Sequence, residues 1–298
     1  MKRLPTHLHF LILFVALLVV SCSPAIQEIK PDNSSSGLLW KISKPGFSDS
    51  YLFGTIHSDD ERVAVLPPVI QTIFDQTPTF AMELILNDEA SKIVMAHMYF
   101  SDGNSLESIV GESLYAKTLE ILAKKGMPEQ VVNQMKPWAV FTLLNMPDNQ
   151  SGTFLDAILY QQALDAHKKV IGLETPLEQV SVFDGLDYKT QTKFLEITLD
   201  QINDMQKVMD EIIDVYLSRD LKQILAINEK YNHLMGEELS AIFNKRLLID
   251  RNHRMSQRML PLMKEGSLFT GVGALHLPGE EGIIKLLESE GFTLEPVY

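Results

Sequence analysis

One stretch near the end of the chain constrains the fold more than any other: Ser267-Leu-Phe-Thr-Gly-Val-Gly-Ala-Leu-His276-Leu-Pro-Gly279. Its apolar run, 268–272, reads as a short strand, and Gly271 and Gly273 remove side chains where the strand ends. Glycine there lets the backbone turn sharply or lie close against another element. His276 follows, then Pro278 and Gly279, which suit a helix start. Glu280 and Glu281 are expected in the first turn, where the helix dipole favours carboxylates. Ile283, Ile284, Leu286 and Leu287 make one apolar face, and Gly291 is placed to stop the helix. The same order occurs once earlier. Tyr51-Leu-Phe-Gly54-Thr-Ile-His57 ends an apolar run in Gly-x-x-His, and an acidic loop and Leu66-Pro67-Pro68 lead into an apolar helix.

Between these two units the pattern is mostly helical. Strands are expected at 38–42, 51–55, 79–86, 169–174 and 268–272, with a last one within 292–298. The third carries Glu83 inside an otherwise apolar run. Helical periodicity covers most of 87–167 and 184–259. The reading is an α/β fold: a central, mostly parallel or mixed sheet flanked by helices, with a large helical insertion in the middle of the chain. In such folds the ends of successive parallel strands line one edge, where ligands bind. That edge would bring His57, Glu83, Glu174 and His276 together.

The first residues read differently. Lys2 and Arg3 precede an apolar run, 10–20, too short for a typical membrane span of about 20 residues but right for a secretory signal. Val19-Val20-Ser21-Cys22 resembles a bacterial lipobox, which implies cleavage before Cys22 and acylation of its thiol. The expected organisation is a signal peptide over 1–21, a polar tether over 22–37 and a single domain over 38–298. Ser23 after the cysteine favours, by resemblance to Gram-negative sorting rules, the outer membrane or the periplasmic face. Cys22 is the chain's one cysteine, so no disulfide can form within it. The net charge of −13, or −15 without Lys2 and Arg3, argues against nucleic acid or anionic lipid as an electrostatic partner. Membrane attachment is expected through the lipid anchor.

Gly54-Thr-Ile-His57, Glu83, Gly172-Leu-Glu174-Thr-Pro, Arg251-Asn252 and Gly273-Ala-Leu-His276-Leu-Pro-Gly together resemble the TraB/GumN family, related to the animal TIKI proteins. The resemblance implies a divalent-metal-dependent hydrolase, with proteolysis the activity of the TIKI branch. A wider kinship with erythromycin-esterase-like and haem-binding ChaN-like proteins is also implied. It further implies that Arg251 and Asn252 point into the site, Arg251 stabilising an oxyanion. The residue chemistry agrees in kind. Imidazole is a common ligand of divalent metals, and catalytic zinc usually has three protein ligands and one open position. His57 and His276 need a carboxylate beside them. Glu83 is the first candidate, because burying its charge unpaired would be costly. Glu174 is the second, as ligand or as the base that takes a proton from water. Mn, Co and Zn are the metals to consider.

Blander readings stand beside these. Either histidine could be a turn residue bonded to backbone, Glu83 could form a buried ion pair with Arg251, and Arg251-Asn252 could sit on a solvated polar face. The motifs His-Glu-x-x-His and Gly-x-Ser-x-Gly do not occur in the chain, which leaves metal-activated water as the route for hydrolysis. The favoured function is a lipid-anchored, exported, metal-dependent hydrolase, a peptidase acting on a peptide or protein. The alternative is a non-catalytic lipoprotein that binds haem, a metal or a peptide.

Overall fold

The computed structural model describes residues 36–85, 87–146 and 154–298, so the segment 1–35 with its lipobox and Cys22 lies outside the described residues. Six strands form one mixed sheet: β1 (Leu39–Ser43), β2 (Ser50–Thr55), β3 (Thr79–Met82), β4 (Lys169–Gly172), β5 (Leu268–Gly273) and β6 (Thr293–Pro296). The order across the sheet is β4-β3-β5-β2-β1-β6. β4, β3, β5 and β2 run parallel, whereas β1 is antiparallel to both β2 and β6. Leu39 pairs with Phe53 and Ile42 with Ser50, the register expected of a hairpin turning through Pro45 and Gly46. The α/β fold with a helical insertion is therefore present.

β5 lies at the centre, and its residues from Leu268 to Val272 are all buried. That explains a continuous apolar run where a half-exposed strand would alternate. The helix Pro68–Gln76 starts with proline in its first turn and buries Ile70 and Phe74 on the sheet. Phe74 meets Phe80 of β3 and Phe269 of β5 edge to face, with ring centroids 5.4 and 5.1 Å apart. A second apolar cluster lies among the inserted helices, where Phe141, Phe183 and Phe194 pack together.

Two expectations about element ends are corrected. β3 stops at Met82, so Glu83 stands just past the strand rather than inside it. The backbone still reaches across, with Leu173 N donating to Met82 O and Glu174 N to Glu83 O. The closing helix is Ile283–Ser289, preceded by a 3-10 turn at Ala274–His276. Glu280 and Glu281 thus lie in the linking turn, where Gly279 takes a left-handed φ of 92°, and not in a first helical turn. Gly291 does follow the helix at a φ of 82°, as a stop should.

The connections place the site. The chain leaves β3 toward β4 on one side, and leaves β5 toward β6 on the other. Adjacent parallel strands whose exits diverge open a crevice at their C-terminal ends. Glu83 follows β3 and His276 follows β5, so both border that crevice.

Candidate functional site

Two glycines let the parts approach. A Cβ on Gly54 would stand 3.0 Å from Ala274 Cα and 3.1 Å from Leu277 Cδ2. Gly54 therefore serves close packing of β2 against the His276 turn, and its carbonyl accepts from Tyr216 Oη at 2.9 Å. Gly273 has φ −51°, an ordinary value, and its N–H donates to Glu83 Oε1 at 2.7 Å.

Glu83 is buried, with one oxygen on the Gly273 N–H and the other on Arg251 Nη2 at 2.5 Å. Burial acts to raise its pKa, but Arg251, with lesser help from His276, His57 and Gly273, brings it down to about 2. Glu83 is thus an ionised carboxylate held by a cation. Arg251 is also buried and binds Glu174 Oε2 through Nε at 2.8 Å and Nη2 at 2.6 Å. Burial opposes its charge, and the two carboxylates outweigh burial and raise its pKa. Arg251 and Asn252 are buried residues of the helix Asp250–Glu265, so the solvated-face reading fails. A π-helical segment, Asn244–Ile249, runs directly into that helix. Such segments shift side chains around the axis and recur at functional sites.

Glu174 does not border the cavity described below. Its Oε1 accepts from Arg254 Nη1 at 2.6 Å, and its Oε2 accepts from Gln179 Nε2 at 3.3 Å besides Arg251. Its place is behind Arg251, as the anchor of the guanidinium. Arg254, Arg258 and Glu178 extend this network outward.

Each histidine stands beside a different polar side chain. His276 is buried, and its Nδ1 lies 2.6 Å from Asn252 Oδ1. Asn252 Nδ2 donates to Glu281 O at 2.7 Å, which leaves Oδ1 as the acceptor and assigns the proton to His276 Nδ1. Burial pushes the His276 pKa down to about 4, against the attraction of Glu83. Neutral His276 then turns the lone pair of Nε2 toward Glu83 Oε1, 3.7 Å away. His57 Nδ1 stands 3.2 Å from Asp156 Oδ2, and Thr55 Oγ1 donates to Asp156 Oδ1 at 2.8 Å. The Phe154 ring meets the His57 ring edge to face, with centroids 5.2 Å apart. Burial pushes the Asp156 carboxyl up, with the His57 charge opposing.

Asp156 is the residue that sequence reasoning missed. It is a buried carboxylate in the first turn of the helix Leu155–Asp165, a position where Asp is ordinarily explained by the helix dipole. His253, also beside the motif residues, is exposed and pairs with Glu281 at 2.7 Å.

These donors match a divalent cation in kind. Two acceptors facing each other at 3.7 Å are too far apart to hydrogen-bond, and two ligands on one tetrahedral ion stand roughly 3.3 Å apart. His276 has its other nitrogen on an oxygen acceptor, the usual support of a metal-binding histidine, and His57 Nδ1 lies at ion-pair distance from Asp156. Among the described residues, however, no group of three or more His, Cys, Asp or Glu side chains stands together as a ready metal site. His57, Glu83, Arg251 and His276 border one cavity of about 220 Å³. Its remaining walls come largely from the inserted helices, with Trp138, Val182, Phe183, Ile224 and Ile227 among them.

The fold and this cluster define an α/β protein with a buried His/Glu/Arg centre at the C-terminal ends of its parallel strands. The chain belongs to the TraB/PrgY/gumN family, whose model matches residues 38–296. Curated relatives include Metalloprotease TIKI2 of Danio rerio, 25% identical over an alignment of 315 positions that covers 87% of this chain and 61% of that protein. Metalloprotease TIKI1 of Danio rerio is 22% identical, covering 89% of this chain and 64% of its own length. The Metalloprotease TIKI homolog of Nematostella vectensis is 21% identical, covering 91% and 69%. The chain thus spans about three fifths of the length of the first of these. No solved structure matches it at a significant level.

Proposed function

We propose that this protein is a metal-dependent hydrolase that cuts peptide bonds, with His57, Glu83 and His276 holding a divalent ion such as Mn, Co or Zn. The observation that carries the reading is the pairing of two imidazoles, His276 with Nδ1 on Asn252 and His57 beside the Asp156 carboxylate, with one ionised and buried carboxylate in a single cavity. The relatives named metalloproteases support it. A divalent ion at such a place supplies Lewis acidity and brings the pKa of a water toward neutrality.

The chain's own residues have distinct tasks. Asn252 fixes which ring nitrogen of His276 carries the proton and how that ring is oriented, and Asp156 flanks the His57 ring. Arg251 keeps Glu83 ionised and in place, and Glu174 with Arg254 keeps Arg251 in place. We therefore assign Glu174 to positioning and not to proton transfer, because its oxygens already accept from three side chains. The Arg251 charge, shared between two carboxylates, serves first as a clamp. The cluster of basic, apolar and lipobox residues over 2–22 supports export and a lipid anchor, at the outer membrane or periplasmic face.

The test is elemental analysis of the purified protein after loading with Mn, Co or Zn and desalting, followed by digestion of unfolded casein. The expected result is near-equimolar metal and chelator-sensitive cleavage, with both lost in His57→Ala/His276→Ala. Equal metal content in wild type and mutant, or metal-loaded protein that leaves casein intact, overturns the proposal.

A further inference from the structure

The cavity beside the histidines is larger and more apolar than a water site requires. Its volume of about 220 Å³ exceeds the roughly 150 Å³ that admits benzene in an engineered protein cavity. Val180, Val182, Phe183, Ile224, Ile227 and Trp138 supply a wall suited to one bulky apolar side chain. Asn228, Gln179 and Thr142 also reach this wall, but Asn228 Oδ1, Gln179 Oε1 and Thr142 Oγ1 each expose less than 1 Å² and have no hydrogen-bond partner among the described residues, so the surface a ligand meets is the apolar one.

We propose that this cavity is the specificity pocket of the site, taking a leucine- or phenylalanine-sized side chain of a peptide. The inference rests on the hydrolase reading for its place next to the reacting bond, and on the cavity alone for its ligand. The helix Leu221–His233 carries Ile224, Ile227 and Asn228, while Gln179 comes from Pro176–Asp184 and bonds Glu174 with its other end. The inserted helices thereby connect side-chain recognition to the Arg251 clamp.

Binding can be read without catalysis, because Trp138 borders the cavity and the chain's other tryptophan is Trp40. In a Trp40→Phe background, metal-free full-length protein is titrated with Ac-Ala-Leu-Ala-NH2, Ac-Ala-Phe-Ala-NH2, Ac-Ala-Lys-Ala-NH2 and octanoate. The leucyl or phenylalanyl peptide should shift Trp138 emission saturably and bind about tenfold or more tighter than the lysyl peptide. Ile227→Asp, which puts a charge into the apolar wall, should cost the leucyl peptide about tenfold or more, with circular dichroism and melting temperature confirming the fold. If that variant does not fold, Ile227→Phe, which narrows the cavity, should weaken the phenylalanyl peptide relative to the leucyl one. Octanoate binding as tightly as the peptides, or no preference for the apolar side chain, overturns the proposal. A leucyl preference in a protein that neither keeps metal nor cleaves casein would leave the pocket standing and remove the hydrolase. Cleavage with no selection for an apolar side chain would do the reverse.

Discussion

Asp156 and His57, far apart in sequence, meet through a carboxylate oxygen 3.2 Å from Nδ1 of the ring. Thr55 holds the other oxygen, so the carboxylate has one orientation available toward the histidine. Replacing Asp156 by Asn keeps the shape but puts an amide that can donate where an acceptor is needed. The expected outcome is a loss of about 10–100-fold in metal affinity, read by competition with a fluorescent chelator. The melting temperature of the metal-free protein should hardly change.

Arg251 compensates two buried carboxylates at once, and lysine cannot reproduce its fork. Arg251→Met leaves Glu83 and Glu174 buried with much of their countercharge gone. A destabilisation of about 3–5 kcal/mol is expected in urea unfolding. Adding Glu174→Gln to Arg251→Met should restore part of it, since one uncompensated charge is then removed.

Gly54→Ala tests the close approach of β2 to the histidine turn. The added methyl would meet backbone at Ala274 Cα, which a rotamer change cannot relieve. A cost of about 1–3 kcal/mol is expected, together with weakened metal binding because His276 shares the displaced turn. Ala274→Gly should rescue only in part. Full rescue would mean that the side chain, not the backbone, sets the spacing.

Glu178 gives a pH test away from the histidines. Its hydrogen bonds from Arg258, and next from Thr175, bring its carboxyl from 4.5 to about 2 against partial burial. A folded pKa below the unfolded one means that the contribution is complete above about 4.5 and is lost as pH falls toward about 2. The side chain is 27% exposed, so screening reduces the contribution to about 1 kcal/mol. Glu178→Gln should flatten the acid side of the stability profile in that window. An unchanged profile would show the pair to be energetically idle.

Much of the framework was legible in the sequence because strands buried on both faces leave continuous apolar runs. β2 and β5 differ from their expected spans by one residue at one end. The residues gathered at the strand ends were also legible, since parallel strands deliver their termini to one edge. Less legible was how side chains divide their partners. Sequence offers Glu83 as a ligand or as the partner of Arg251; it accepts from Arg251 and at the same time stands 3.7 Å from His276. Sequence offers Glu174 as a ligand or as a base, and does not show that Arg251, Arg254 and Gln179 surround it. Asp156 left no signal beyond an acidic residue at a helix start. The closing helix begins later than Pro278-Gly279 suggests because Gly279 adopts a left-handed conformation that helices exclude.

The register of β1 has a consequence for orientation. Leu39 pairs with Phe53, and Gly54 N donates to Leu38 O, so the chain enters the sheet at the edge from which His57 departs. Under the proposed lipid anchor, the pull would therefore fall on the rim of the histidine crevice and not on the far end of the sheet, and that rim would be the part of the domain nearest the membrane. Length added ahead of Leu38 would then widen the gap between membrane and opening, changing which macromolecules can reach the opening while leaving small solutes unaffected.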